Sequence, residues 1–232
     1  MKRNLDEFEK TLKIKFKDSA LLQTSLVHRS YLNEHRDFPL AQNERLEFLG
    51  DAVLELVVTD YLYSHYPNPE GELTNFRSAL VNHRILSQIA QRLGMGDYIL
   101  LSRGEAKDTG RARQVILANA IEALIGAIYL DQGYTVAKEF IDREILTELP
   151  KILAEGAYLD PKSQLQEYIQ EKEGVTPIYQ VLSESGPDHA KLFEVGVFIN
   201  DKMIGQGNGH SKQDAEVSAA QEALKHLAIT AG

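Results

Sequence analysis

The chain contains no cysteine among its 232 residues and only 7 prolines. Without cysteine, disulfide bonds and thiolate metal sites are excluded. The longest apolar run is the eight residues Ala123–Leu130, well short of the ~18 residues of a membrane-spanning helix. The charged N-terminus is not followed by an apolar stretch, as it would be in a secretory signal. We therefore expect a cytoplasmic protein with no membrane segment.

Positive charge is also scarce, because 25 basic residues face 34 acidic ones and leave a net charge of −9. Taken alone, this balance argues against a nucleic-acid-binding protein, which usually carries a basic patch. Hydrophobic residues make up 43% of the chain, which is too many for a disordered protein and enough for one large domain or two smaller ones.

The residue pattern changes near Gly156. From Leu5 to about Ile152, apolar residues recur at spacings of three and four, which indicates one helix after another. Beyond Gly156 this pattern gives way to a mixture of helices and strands. We therefore predict one domain over residues 1–156 and a second over residues 157–232, with net charges of −4 and −5.

The second domain has recognisable helix starts and one clear strand. Asp160–Pro161 predicts a helix start, with an N-cap acid before a proline at the first helical position. Residues 193–199 alternate as a half-buried strand does. Asn200–Asp201 predicts a turn into a short strand around Met203. Ser211 predicts the cap of a final helix.

Acidic side chains follow one face of the helix that we predict to begin at Asn43. Their spacing places all of them within a narrow arc of that helix. Like charges so close repel one another, so the stripe is either a solvated face or part of a shared site. Its members are Glu44, Glu47, Asp51 and Glu55.

A second helix, Gln114–Leu130, carries Glu122 as its only charged residue, three positions after Asn119. A carboxylate in such apolar surroundings needs a basic partner or a metal ion. If Glu122 faced Glu47 and Asp51 across a helix pair, the three carboxylates would need a cation. All-oxygen ligands suit Mg²⁺ or Mn²⁺, and metal–carboxylate sites of this kind cleave phosphodiesters.

The run NERLEFLGDA, Asn43–Ala52, resembles the signature of the ribonuclease III family of double-stranded-RNA endonucleases. The similarity continues in the same order through His28–Glu34, Glu70–Asn82 and Ile116–Asp131. The C-terminal part resembles the double-stranded RNA-binding domain of bacterial members. The resemblance implies an all-α nuclease domain followed by a small α+β domain with the element order α-β-β-β-α.

The resemblance also implies residue roles. Glu47 and Asp51 match metal-site acids, with Glu44 as a supporting acid. Glu122 matches an essential metal ligand. Asn119 stands where the family normally has aspartate, and its neutral carbonyl oxygen can still ligate Mg²⁺. The implied reaction is RNA hydrolysis by a metal-activated water, with Asp51 orienting that water or a ligand, to give 5′-phosphate and 3′-hydroxyl products in ribosomal and other structured transcripts.

The resemblance further implies a homodimer formed through the nuclease domain, with each site cutting one strand of the duplex. Phe48 and Leu49 are then interface candidates, although both also fit a plain core. We leave His28 and Arg29 outside the active site. A second hypothesis is a non-cleaving dimer that binds double-stranded RNA and whose metal site is weakened by Asn119.

The expected RNA contacts of the second domain are a polar helix face, a loop and a helix start. Lys212 lies at the start of the last helix, which is a natural phosphate site. The family usually has two or three basic residues there, so this departure predicts weaker and less salt-sensitive binding. The loop 185–189 supplies His189. The first helix presents a polar stripe that suits the RNA minor groove but also fits an ordinary solvated face: Ser163, Gln166, Glu167 and Gln170.

Overall fold

The computed structural model describes residues 4–156, 158, 160–187 and 191–227. The chain divides into two compact units, Met1–Glu155 and Gly156–Gly232. This division lies one residue from the boundary predicted by the change of sequence pattern.

The first unit is helical, as predicted. Three of its helices begin at an N-cap residue: the side chains of Asn4, Asp18 and Asn82 accept hydrogen bonds from backbone N–H groups of the first turn. Its α-helices are α1 (Leu5–Leu12), α2 (Ser19–Ser25), α3 (Arg29–Glu34), α4 (Glu44–His65), α5 (Glu70–Leu80), α6 (His83–Arg92), α7 (Arg111–Gln132), α8 (Tyr134–Glu144) and α9 (Leu149–Ala154).

Helix α7 is the central helix of this unit and packs closely against α4. By length and composition α7 could cross a membrane, but 61% of its most apolar window is buried within the protein. A Cβ atom on Gly50 would lie 1.7 Å from the backbone oxygen of Glu122, and one on Gly126 would lie 2.2 Å from the backbone oxygen of Leu46. Glycine at both positions therefore lets the two backbones touch.

Replacing Gly50 with alanine should strongly destabilise the nuclease unit, because the new methyl group would overlap the backbone of α7. Overpacking of this kind costs about 1–3 kcal/mol or more, and the loss is measurable by urea unfolding. The matched control is Gly71→Ala in α5, where a Cβ meets no atom within 4 Å and alanine is the better helix former. Equal stability of Gly50→Ala and the wild type would contradict this packing.

The second unit has the predicted order of helix, three strands and helix. The strands form an antiparallel sheet in the order β1-β2-β3, and the side chains of Asp160 and Ser211 cap the two helices. Leu165 and Ile169 pack with three β2 residues and the alanines of the last helix. The elements are α10 (Pro161–Glu173), β1 (Ile178–Ser185), β2 (Leu192–Ile199), β3 (Lys202–Gly209) and α11 (Lys212–His226).

Two details of the sheet differ from the sequence expectation. The strand around Met203 spans eight residues rather than a short segment. The sequence pattern did not reveal the full length of β3, because three of its inward-facing residues are glycines. Gly205, Gly207 and Gly209 lie directly against the backbone of α11 and leave no alternating apolar pattern. The sequence of β1 shows no alternation of buried and exposed residues by which the strand could be predicted. Most of its residues are exposed, and its pairing with β2 shifts register after Val181.

Candidate active site and RNA-binding surface

The contact between α4 and α7 brings Glu122 within electrostatic range of the acids on α4. Glu122 is partly buried on α7. Its pKa is raised to about 8, first by burial and then by the negative charges of Asp51, Glu47 and Glu55. The charges of Glu47 and Asp51 therefore act on Glu122 across the helix pair, and their assembly into one metal site stays a prediction.

Glu47 links this cleft to Asn119. Burial raises the pKa of Glu47, and the charge of Glu44 adds to the increase. A side-chain hydrogen bond with Asn119 acts in the opposite direction, because an amide donor stabilises the ionised carboxylate. Glu47 and Asn119 line the same cavity between the two helices.

The acidic stripe of α4 does not act as a single unit. Glu55 forms an ion pair with Arg77 at 2.9 Å, and Arg77 also donates to the hydroxyl of Thr59 at 2.9 Å. Glu44 lies 3.7 Å from the guanidinium of Arg29. Glu44 and Glu55, the acids at the two ends of the stripe, thus have basic neighbours. Burial and repulsion raise the pKa values of Glu47 and Glu122 instead.

A cavity of about 400 Å³ opens beside Glu47 and Asn119, and His28 and Arg29 form part of its wall. These two residues, which the sequence analysis left outside the active site, thus lie beside Glu47 and Asn119, and whether they belong to the site stays a prediction. The Nδ1 atom of His28 lies 2.8 Å from the hydroxyl of Ser30, which in turn accepts a hydrogen bond from the backbone N–H of Ser102. Burial lowers the pKa of His28, which favours the neutral imidazole.

The oxygen donors in the cleft fit a hard divalent cation. Glu47, Asn119 and Glu122 offer two carboxylates and one amide oxygen, the ligand type that such cations prefer. A cation would also offset the burial and the repulsion that together raise both glutamate pKa values. Among the described residues, however, no three His, Asp or Glu side chains are already gathered closely enough to hold a metal ion.

The raised pKa of Glu122 predicts a pH-dependent loss of stability in the metal-free protein. Between its ordinary value of 4.5 and its folded value of about 8, the folded state keeps a proton that the unfolded state has lost. Stability therefore falls as pH rises through this window. Glu122→Gln should remove the loss, raising the melting temperature at about pH 8.5 by at least ~2–4 °C, with little change at about pH 5.

Thermal unfolding in a chelator at both pH values tests this expectation. Glu155→Gln provides the matched control, because it removes an exposed carboxylate from the same helical unit. Equal effects of the two variants at both pH values would show that Glu122 carries no unusual penalty.

Of the residues that we predict to contact RNA, those that the structure describes are exposed on the second unit. Lys212 is exposed at the first position of α11, and its ammonium group lies 3.5 Å from Glu184. His189 lies outside the described residues, so its predicted contact is left as a prediction. The polar stripe of α10 is exposed along its whole length: Ser163, Gln166, Glu167 and Gln170.

Comparison with known families matches both units. Residues 18–149 match the model described as Ribonuclease-III-like, and residues 161–227 match the double-stranded RNA binding motif. These matches define a helical nuclease domain followed by a domain that binds double-stranded RNA.

Relatives and solved structures agree with this class. The chain is 48% identical to Ribonuclease 3 of Borreliella afzelii over 97% of its own length and 92% of that protein. It is 44% identical to Ribonuclease 3 of Listeria monocytogenes, covering 96% and 97% of the two chains. The solved nuclease domain of ribonuclease III from Campylobacter jejuni is 42% identical with a TM-score of 0.57, covering 63% of this chain and 99% of that one.

The chain belongs to the ribonuclease III family. Membership makes it an endoribonuclease that acts on double-stranded RNA, and it implies a divalent metal cofactor.

Proposed function

We propose that this chain cleaves double-stranded RNA in a Mg²⁺-dependent reaction, with Mn²⁺ able to substitute, during the processing of ribosomal and other structured transcripts in the cytoplasm. The observation that supports the metal dependence is that burial and neighbouring negative charges raise the pKa values of two glutamates on the touching helices, Glu47 on α4 and Glu122 on α7. Carboxylates that are both buried and repelled are costly unless a cation neutralises them.

The cleft residues then have separate roles. Glu47, Asn119 and Glu122 would hold the cation, which supplies activation of a water molecule and stabilisation of the leaving 3′ oxygen. Glu122 must release its proton before it can act as a ligand. Asp51 is exposed beside Glu122, where it orients the attacking water, and Glu44 supports the site from its rim. The products carry a 5′-phosphate and a 3′-hydroxyl.

A cleavage assay with a long RNA duplex tests this function. The wild type should cut the duplex only when Mg²⁺ is present. Glu122→Gln should abolish cutting, because it removes a charged ligand with little change in shape, while duplex binding stays within a few-fold of wild type. Cleavage by this variant at near wild-type rate would refute the assignment of α7 to the active site.

The second candidate function, a non-cleaving RNA-binding dimer, is favoured only by the neutral side chain of Asn119. In the same assay, Asn119→Asp should lower the Mg²⁺ concentration for half-maximal cleavage by roughly tenfold, because one added charge near a cation is worth about 1–3 kcal/mol. An unchanged Mg²⁺ midpoint together with a lowered melting temperature would reject the ligand role. A wild type that binds but never cuts would support the non-cleaving dimer.

We also propose that two copies pair through α4. Phe48, Leu56 and Tyr63 are 81%, 58% and 80% exposed, and their spacing places them on one face of the helix. Exposed apolar surface of this extent marks an interaction site. The solved nuclease domain from Campylobacter jejuni is reported to show structural flexibility in a region involved in dimer formation. Leu49 is partly buried, so Phe48 is the better interface candidate of the two.

Phe48→Asp should weaken self-association by about 30-fold or more, the effect of losing an interface hot spot. Sedimentation across a range of protein concentrations measures the change. Met203→Asp is the control, because Met203 is also exposed, at 47%, but lies in the second unit. Equal dissociation constants for the two variants would place the interface elsewhere.

A further inference from the structure

Glu184 at the end of β1 holds both lysines at one edge of the second unit. Its carboxylate lies 3.1 Å from the ammonium group of Lys191 and 3.5 Å from that of Lys212. Phe193 pairs with Glu184 across β1 and β2, and the two ammonium groups lie 5.9 and 5.7 Å from the centre of its ring. The carboxylate and the ring together fix two cations in one small cluster.

Both lysines can offer positive charge to a phosphate at this edge. Lys212 begins α11, where free backbone N–H groups and the helix dipole favour an anion. It is the only lysine or arginine in the segment 207–216. Because Glu184 cancels one of the two charges, the local sum is reduced from +2 to +1 within a domain whose net charge is −5.

We propose that Glu184 is an internal counter-ion that competes with an RNA phosphate for Lys191 and Lys212, and so limits the affinity and salt dependence of duplex binding. The proposal rests on the assignment of Lys212 to RNA contact. All three side chains are partly exposed, so a phosphate oxygen can replace the carboxylate without unfolding any element. The hydrogen bond from Lys191 also lowers the pKa of Glu184, so the carboxylate stays charged at neutral pH.

Removing the competing charge should strengthen binding. We expect Glu184→Gln to bind a duplex about 3- to 10-fold more tightly at low salt, because two exposed ion pairs are each weak. The plot of log affinity against log salt concentration should steepen by about 1, since roughly one more counter-ion is released from the RNA.

The experiment uses the full chain and a short blunt RNA duplex in a chelator, with fluorescence anisotropy measured at several salt concentrations. Asp201→Asn is the matched control for the change of charge. Asp201 follows β2 whereas Lys191 precedes it, so a strand of eight residues separates them, about 26 Å and well beyond the ~10 Å screening length at 0.1 M salt. A Lys191→Gln/Lys212→Gln background tests whether Glu184 acts through the lysines.

Tighter binding by Glu184→Gln than by Asp201→Asn, with the gain lost in the double-lysine background, supports the proposal. Equal affinities and slopes for the two variants overturn it, as does weaker binding by Glu184→Gln, which would mean that Glu184 positions the lysines. Undiminished binding by the double-lysine variant alone would refute the RNA contact of Lys212. A wild type that does not bind duplex RNA would refute the RNA-binding function itself.

Discussion

The close approach of α4 and α7 is the constraint on which the active site depends. Gly50 and Gly126 remove the side chains that would otherwise separate the two backbones. A larger spacing would leave Glu122 among apolar neighbours on its own helix, out of reach of the α4 acids. With the two backbones touching, the charges of Asp51 and Glu47 add to burial in raising the pKa of Glu122 to about 8. Packing therefore creates an unfavourable concentration of negative charge that the proposed cation would neutralise.

The neutral side chain of Asn119 limits the negative charge beside Glu47. An aspartate at this position would place another negative charge beside Glu47, whose pKa is already raised by burial and by Glu44. The amide instead donates a hydrogen bond and stabilises Glu47 in its ionised form. The metal-free fold thus suffers less repulsion, while the site has one charge fewer with which to attract a cation. This is a balance between stability without metal and affinity for metal.

The helical nature of the first unit and the caps Asp160 and Ser211 of the second could be predicted from sequence because both depend on local spacing. An electrostatic influence of the α4 acids on Glu122 could also be anticipated, since a lone carboxylate in an apolar helix needs a partner. The residues that line the cavity beside Glu47 and Asn119 could not be predicted. His28 reaches it because Val27 bridges to Leu100 and Ser30 accepts from the N–H of Ser102. Contacts between segments about 70 residues apart leave no periodic signal in either one.

The negative net charge is compatible with binding a polyanion because of where the charges lie. In the nuclease unit, the acids of the cleft are positioned to attract cations, and Arg29 and Arg77 neutralise two outer acids. In the second unit, α10 offers mainly amide and hydroxyl groups, which suit the 2′-hydroxyls of an RNA minor groove without adding positive charge. A duplex can then be recognised chiefly by shape and hydrogen bonds. The lysines beside Glu184 would then add only a modest electrostatic contribution, since one carboxylate is paired with both of them.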